Sequence, residues 1–433
     1  MLAGMLKNGT SITSESGITY SIVKILGSGG QGEVYEIESP TGKKALKWYY
    51  KQTSTPEQKN TIMNLIVEGA PSENFLWPLD LISNSDDGTF GYVMELRPKE
   101  YRNIPDLLNR KFEINFRKSF LVVYNLTKEY KLLHEKGYSY KDISEQNVFF
   151  KPDTGDVLIC DNDNVSINGL ADSGVYGTMR FMAPEIVRGE ATPSRNTDLY
   201  SLAVLIFNML FISHPLEGAN EARIHALDDN ANIMLFGTKP IFIFDPNNTE
   251  NRPVEGIHDN AIIYWELYPQ FLKDLFIRAF VDGVNNPAKR VVEKVWMDAS
   301  IRLLDSIMIC PNCGAEVLFD EFKENNGLNH ECWNCRSVLK APPQIKIGRK
   351  RILLNLSSSI KAHHLYENYD LDTTVASVTQ NPNNPGQWGL KNESNDNWTY
   401  IRPDGSQALL PPGRTAALVT GAKINFGTII GEI

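Results

Sequence analysis

The sequence predicts an α+β chain in four parts: a small strand-rich part, a larger helical part, a compact cysteine module and an all-β sandwich. Three observations support that order. Short alternating apolar runs broken by glycine turns fill residues 19 to about 97, and from Ile104 the apolar spacing shifts to the helical period. Two C-x-x-C pairs, Cys310/Cys313 and Cys332/Cys335, follow the helical part. From residue 345 to 433 the chain is rich in Thr, Val, Asn and Gly in short alternating runs, the pattern of a sandwich.

Each element has a local reason. Residues 1–18 are polar and small and are expected to form a loose leader. Residues 19–50 read as strands, with turns at Gly27 to Gly32 and at Pro40-Thr41-Gly42. Ile62, Leu65 and Ile66 share a helical face over residues 56–67, opened by Thr55 and a first-turn proline. Strands are expected over residues 76–82 and 90–96, around the turn Asp86-Asp87-Gly88. Helices are expected over residues 116–136, 201–211, 269–280 and 291–308. The longest apolar stretch, residues 202–212, is interrupted by Asn208 and is too short to span a bilayer, so it reads as a buried helix. No internal repeat is visible.

At 433 residues the chain has room for two to three domains of about 150 residues each. A net charge of -9 argues against non-specific binding to nucleic acid or to an anionic membrane surface. The N-terminus has neither the apolar run nor the cleavage pattern of a secretory signal, so a cytoplasmic protein is expected. In that compartment the paired cysteines indicate a closed structural zinc site rather than disulfides. Cys160, which ends an apolar run, reads as a small buried hydrophobe.

Three features carry chemistry. Gly27-Ser28-Gly29-Gly30-Gln31-Gly32-Glu33-Val34 fits G-x-G-x-x-G-x-V between two expected strands. Glycines there let backbone N–H groups approach phosphate oxygens, although a glycine-rich hairpin turn would read the same way. The strand, rather than helix, after the last glycine argues against a dinucleotide loop. Lys47, one hairpin later, could reach the α- and β-phosphates of a nucleotide. Asp142, Asn147 and Asp161 then place oxygen ligands where phosphoryl transfer from Mg-ATP needs them: Asp142 to accept a hydroxyl proton, Asn147 and Asp161 to hold metal ions.

Taken in order, Gly27, Gly29, Gly32, Val34, Lys47, Asp142, Asn147, Asp161 and Ala183-Pro184-Glu185 resemble the motifs of eukaryotic-type serine/threonine protein kinases. Gly177 to Met182 is similar to the family's substrate-positioning segment. The resemblance implies an α+β bilobal protein kinase fold over residues 19–306, with the small lobe ending near residue 97; the cysteine spacing adds a zinc ribbon at 307–341 and the composition an all-β sandwich at 345–433. It implies ATP and Mg²⁺ (or Mn²⁺) as cofactors beside the structural Zn²⁺, and a protein substrate. It also implies that Met94 backs the adenine pocket, that Glu95 and Arg97 meet the adenine edge through backbone groups, and that Gly27, Ser28, Gly29, Gly30, Gly32 and Val34 cover the phosphates. Asp198 resembles the buried aspartate that braces the catalytic loop, and Arg290 the partner of Glu185.

Several positions depart from the family. Tyr140-Lys141 replaces His-Arg before the catalytic aspartate, and Ser144 stands where a lysine is usual. Asn162 and Asp163 replace the Phe and Gly after the metal-binding aspartate, a change expected to restrict the flip of that segment. Glu57 and Glu68 are the nearest candidates for a helix carboxylate partnering Lys47, and neither has the expected spacing. These departures motivate an alternative, a nucleotide-binding pseudokinase scaffold acting through its zinc ribbon and sandwich. Ser166, Ser173 and Tyr176 are autophosphorylation candidates by location.

In the cysteine module, Glu316, Asp320, Glu321, Glu324 and Glu331 outnumber Lys323, Arg336 and Lys340, so a nucleic-acid adaptor is disfavoured. Ile347-Gly348-Arg349, the stretch from Trp388 to Ser394 and Gly421 to Gly427 resemble a forkhead-associated domain. That family's S-x-x-H element is altered, with Ile360 in the serine's place before His363, and a docking role is preferred over phosphopeptide binding. The segment Pro240 to Pro246 with Asn251-Arg252-Pro253 and Trp265 resembles bacterial kinases of tellurite-resistance-type operons. That likeness implies a von Willebrand A protein and a metal-dependent phosphatase as partners.

Overall fold

The computed structural model describes residues 4–84, 86–169, 177–226, 228–355, 358–366, 368–427 and 429–433. The chain divides into two units: Met1–Ile114, Leu121–Tyr264 and Leu275–Met297 form one; Asn115–Phe120, Trp265–Asp274 and Asp298–Ile433 form the other.

The first unit opens with an antiparallel sheet of β1 (Ser11–Thr13), β2 (Thr19–Ser28), β3 (Gly32–Ser39), β4 (Gly42–Tyr49), β5 (Asp80–Ser83) and β6 (Phe90–Glu95), in the order β1-β2-β3-β4-β6-β5. Alternation along each strand sends Tyr20, Ile22, Tyr35, Ile37, Leu46, Trp48, Ile82 and Val93 into one buried cluster. The other face carries Lys47 and Tyr49, with Tyr92 directly across from Lys47 on β6. The leader is not loose as expected. Among its described residues, β1 pairs with β2, and Leu6 and Ile12 pack on the sheet core. Its backbone is tied down where Met5 N–H donates to Glu33 Oε2 at 2.8 Å and Leu6 N–H to the Tyr35 hydroxyl at 3.0 Å.

Helix α1 (Pro56–Glu68) begins at Thr55, whose hydroxyl accepts from Gln58 N–H at 3.1 Å, and it buries Ile62 and Leu65. After β7 (Arg102–Asn103) and α2 (Ile104–Leu108), α3 (Phe116–Glu135) leads into two short ladders. β8 (Tyr138–Ser139) pairs with β11 (Ser166–Ile167), and β9 (Val148–Phe150) with β10 (Val157–Ile159). The loops between these strands carry the expected catalytic residues. A parallel bridge between Phe75 and Ile159 fixes this region beneath the sheet, with Leu76 N–H donating to Ile159 O at 2.8 Å. After α4 (Pro184–Val187), α5 (Arg195–Phe211) starts earlier than the apolar pattern suggested. Ser194 and Thr197 form a capping box, and the helix is buried from Thr197 to Phe211.

In the second unit, strands Ile307–Ile309 and Glu316–Leu318 pair around the first C-x-x-C, and His330–Glu331 and Val338–Leu339 around the second. The helix Glu293–Asp305 stops short of Ile307, so Met308, expected to be helical, lies in a strand. Gly314 and Arg336 take positive φ just after their cysteine pairs, giving the two knuckles the same turn. Two antiparallel sheets follow. One runs Lys350–Leu353, Gln344–Ile347, Ile430–Glu432, Lys423–Asn425, Trp398–Ile401, Gln407–Leu410; the other runs Ser359–Lys361, Thr374–Asn381, Asn384–Asn392, Thr415–Ala417. They enclose a core that includes Ile345, Ile360, Leu390, Trp398, Ile424 and Phe426. Among the described residues no helix is long and apolar enough to cross a membrane.

Candidate active site

The glycine loop is the hairpin between β2 and β3. Gly27 pairs with Val34 and Ser28 with Glu33, and Gly29 N–H closes the turn on Gly32 O at 2.9 Å. The glycines differ in what requires them. A Cβ on Gly32 would fall 2.1 Å from Trp48 O, so the sheet itself excludes a side chain there. At Gly27, Gly29 and Gly30 no described residue lies within 4 Å of a Cβ, so no contact among the described residues demands glycine. Those three keep the space above the turn clear, as close backbone approach to phosphate requires.

Register places Lys47 below this turn: Val34, Lys47 and Tyr92 form one row across β3, β4 and β6. The buried Lys47 ammonium donates to Gln31 Oε1 at 3.0 Å, to Asp161 Oδ1 at 3.3 Å and to both Asp163 oxygens at 3.0 and 2.8 Å. Neither expected helix carboxylate meets it; Glu57 and Glu68 are both exposed. The contribution of α1 is neutral instead. Gln58 Nε2 donates to the Tyr49 hydroxyl at 3.2 Å and to Asp163 O at 3.4 Å. Asp163 also accepts from the hydroxyls of Tyr49 and, at 3.0 Å, Tyr92. Burial alone would raise the Asp163 carboxyl, but Lys47 and the two hydroxyls hold it below the usual carboxylate range. Burial alone would likewise depress Lys47, and Asp163 and then Asp161 hold it above its ordinary value.

Two residues before Asp163, Asp161 takes a left-handed conformation (φ 54°, ψ 42°), which turns its side chain out while Asp163 points in. The Asp161 side chain is 41% exposed, that of Asp163 0%. Partial desolvation and the charges of Asp163 and Asp142 push Asp161 up, with Lys47 opposing. Asn162, in the place of the family phenylalanine, is buried and donates to Ile159 O at 3.0 Å.

In the adjoining loop, Asn147 Nδ2 donates to Asp142 O at 2.9 Å and Asp142 Oδ2 at 3.0 Å. Asp142 Oδ1 accepts from Thr178 N–H at 2.8 Å and its hydroxyl at 2.9 Å. Gly177 reaches this position at φ 104°, where a Cβ would lie 2.6 Å from Lys141 O. Cys160 N–H to Asn147 O at 3.0 Å joins the Asn147 and Asp161 segments. The oxygens of Asp161 and Asn147 are hard donors of the kind Mg²⁺ prefers, so the residues fit the ion.

Behind the loop, Asp198 accepts from the backbone N–H of Tyr140 at 2.6 Å and Lys141 at 3.2 Å. His134 bridges Asp198 at 3.0 Å to Glu293, which in turn pairs with Arg195 at 2.7 Å. The Tyr140 hydroxyl donates to Cys160 O, tying the loop before Asp142 to the one before Asp161. Arg290 clasps both Glu185 oxygens at 2.8 Å. Met94 is buried and Glu95 and Arg97 are exposed at the end of β6; Glu95 pairs with Lys44, and the Arg97 guanidinium lies 4.2 Å over Phe149.

Other expectations need adjustment. Cys160 is half-buried, with Sγ 3.9 Å from Gln146 O. The Ser144 hydroxyl is buried with no hydrogen-bond partner among the described residues, and a serine here supplies no cation. Ser166 Oγ is buried in β11, which removes it as an accessible phosphate acceptor; Ser173 and Tyr176 lie outside the described residues. Sequence reasoning flagged Asp163 only as a departure and missed Tyr49, Tyr92, Gln58 and Gln31. The signal for Tyr49 was available, because it lies two residues from Lys47 and so on the same strand face.

In the second unit, one sulfur from each of Cys310, Cys313, Cys332 and Cys335 lies within 4.8 Å of the others. The Cys310–Cys335 and Cys313–Cys332 sulfurs are 3.6 and 3.5 Å apart. Tetrahedral Zn–S bonds of about 2.3 Å would set sulfurs roughly 3.8 Å apart, so the four fit that ion. Hydrogen bonds from Ser337 and then Asn312 hold the Cys335 thiol down at about 5, which favours the thiolate. Ile360, in the serine's place of the S-x-x-H element, and His363 are both buried.

Comparison with known proteins gives a match to the protein kinase domain over residues 20–292. Protein kinase gsk3 of Schizosaccharomyces pombe is 24% identical over 326 residues, 73% of this chain and 78% of that protein. Serine/threonine-protein kinase PknD of Chlamydia abortus is 25% identical over 239 residues, 48% of this chain but 25% of its own. Protein kinase YegI of Escherichia coli is 25% identical over 232 residues, 49% of this chain and 35% of its own. The chain therefore spans most of the first relative and about a third or less of the other two.

Proposed function

Because the chain belongs to the protein kinase domain family, we propose that it transfers the γ-phosphate of ATP to a serine or threonine hydroxyl of a protein. The observation that carries this reading is the orientation of Asp142. Asn147 holds one of its oxygens and Thr178 the other, and Asn147 is tied by Cys160 N–H to the segment of Asp161, which pairs with Lys47.

In this reading the substrate hydroxyl approaches Asp142, whose carboxylate takes the proton as the oxygen attacks the γ-phosphorus. The new O–P bond forms as the bond to the β–γ bridging oxygen breaks, and ADP leaves with that electron pair. Lys47 offsets charge on the α- and β-phosphate oxygens, and the clear backbone over Gly27, Gly29 and Gly30 admits them. Asn147 and Asp161 would hold Mg²⁺, which when bound neutralises phosphate charge. Asp198 keeps the loop before Asp142 in place through its two backbone hydrogen bonds.

The four cysteines would hold a structural zinc, leaving the sandwich a docking role. The buried Ile360 supports docking over phosphopeptide capture, since it fills core space where a phosphate-binding hydroxyl would be needed. The operon partners rest on sequence likeness alone. Asn251 and Arg252, which carry part of it, are engaged internally: Asn251 donates to Leu216 O and Ile241 O, Arg252 to Ile243 O and Asp245 O.

The test is transfer from radiolabelled ATP by the full chain and by Asp142→Asn, followed by mass spectrometry of labelled positions. The wild type is expected to label protein, and Asp142→Asn to fall by roughly 10²–10⁴-fold, the usual contribution of a positioned base. Equal labelling by both, or none with the protein substrate supplied, leaves the nucleotide-binding scaffold as the reading; Ser144, standing where a lysine is usual, favours that outcome.

A further inference from the structure

We infer that Asp163 takes the place of the helix carboxylate in this kinase, fixing Lys47 from the metal-side segment and freeing its orientation from α1. This rests on the kinase reading of the cleft and assigns a positioning residue within it. Lys47 needs a carboxylate to hold its ammonium toward the phosphates, since a buried lysine without one would be poorly oriented and costly. The structure supplies that carboxylate twice over, at 2.8 and 3.0 Å, from the position where the family has glycine.

The arrangement is built as a socket. Tyr49 and Lys47 share a face of β4, and Tyr92 faces Lys47 across the ladder, so three donors from one sheet face converge on Asp163. Every one of these donors belongs to β4 or β6, and the side-chain contact that α1 adds is the amide of Gln58. A displacement of α1 would therefore break two amide hydrogen bonds and leave the Lys47–Asp163 pair in place. A helix carboxylate makes the lysine's position depend on where the helix sits; here that dependence is removed. The same socket pins the segment that carries Asp161, so lysine orientation and metal-ligand placement are set together.

The experiment is calorimetric titration of the full chain with Mg-ATP and, separately, with adenosine, which lacks the phosphates Lys47 would meet. Asp163→Asn is expected to weaken Mg-ATP about tenfold or more while adenosine affinity is kept, as for loss of a charge-assisted partner. Glu57→Gln and Glu68→Gln are expected to leave both affinities as they are. If Asp163→Asn does not fold, the pair Tyr49→Phe and Tyr92→Phe keeps the ion pair and should give a smaller loss selective for Mg-ATP. The inference is overturned if a helix-glutamate variant loses Mg-ATP as far as Asp163→Asn does. Equal loss of both ligands, or no selective loss in either the Asp163 or the tyrosine variants, overturns it too. These affinities are read without turnover, so absence of phosphoryl transfer would count against the proposed function and not against this assignment.

Discussion

The catalytic cleft and the four-cysteine cluster gather charge in opposite ways. In the cleft and the network behind its loop, unlike groups meet: Asp163 has Lys47, Glu293 has His134 and Arg195, and Glu185 has Arg290. In the cluster, four like sulfurs converge within 4.8 Å. A set of unlike groups is self-compensating and can hold its geometry from the chain alone. A set of thiolates repels itself, and only a cation makes the gathering favourable. The fold around the cleft should therefore respond to single substitutions and not to chelators, whereas the fold of the cluster should respond to chelators as well.

The largest expected effect tests the cluster. Removing metal with a strong chelator should unfold the cysteine module, since zinc contributes on the order of 10 kcal/mol to such sites. Trp333 reports it, because its indole N–H donates to Glu316 O at 2.8 Å and ties the second knuckle to the first ladder. Metal analysis of the full chain should find stoichiometric zinc, lost in Cys313→Ser together with the native Trp333 fluorescence. Native Trp333 emission from a metal-free chain would break the comparison on this side.

A smaller effect tests the network behind the cleft. Glu293 is buried; burial alone would raise its carboxyl, yet hydrogen bonds from His134 and then Arg195 hold it at about 2 against an ordinary 4.5. Its contribution to stability is therefore present in full above about pH 4.5 and lost as pH falls toward 2. His134 works in the other direction. Asp198 and Glu293 raise it above its ordinary 6.5 despite burial, so its contribution is full below that value and lost as pH rises through the folded-state pKa. Glu293→Gln should cost about 3 kcal/mol near pH 5.5, as breaking one side of a buried pair does. The gap from wild type should close as the pH is lowered toward 2. Urea midpoints across that range would show it, and a pH-independent gap would show that the ion pairs do not carry the cleft.

How far the sequence revealed these regions follows from the range of the contacts involved. The cysteine pairs lie in two local knuckles, so their spacing alone announced a metal site. Asp142, Asn147 and Asp161 sit in loops between short strands paired by two ladders, and their convergence could be anticipated from motif order. Asp163 could not. Its partner Lys47 is 116 residues away, and its pocket depends on the register that places Tyr92 opposite Lys47. The leader was misjudged for a related reason: a polar composition suggested looseness, but strand pairing of Ser11–Thr13 is a backbone interaction that composition does not announce. The helix over residues 291–308 ran too far because the apolar Ile307 and Met308 suit a strand as well as a helix.

The finest division lies within one turn, where glycines of the same motif answer to different demands. Gly32 is held by the sheet, since a Cβ would meet Trp48 O at 2.1 Å, a backbone atom that cannot give way without disturbing β4. Gly29 has open space in that direction. Gly32→Ala should therefore destabilise the fold by about 1–3 kcal/mol, the range for a forced overlap, and lower the melting temperature. Gly29→Ala should melt with the wild type while binding Mg-ATP more weakly, because the added methyl occupies space the phosphates would use. Calorimetric melting and nucleotide titration of the two variants separate these outcomes. If both lose stability alike, the open space over Gly29 belongs to the fold and the phosphate reading of the turn fails; if only Gly32→Ala does, the turn is part scaffold and part binding surface, divided between residues three positions apart.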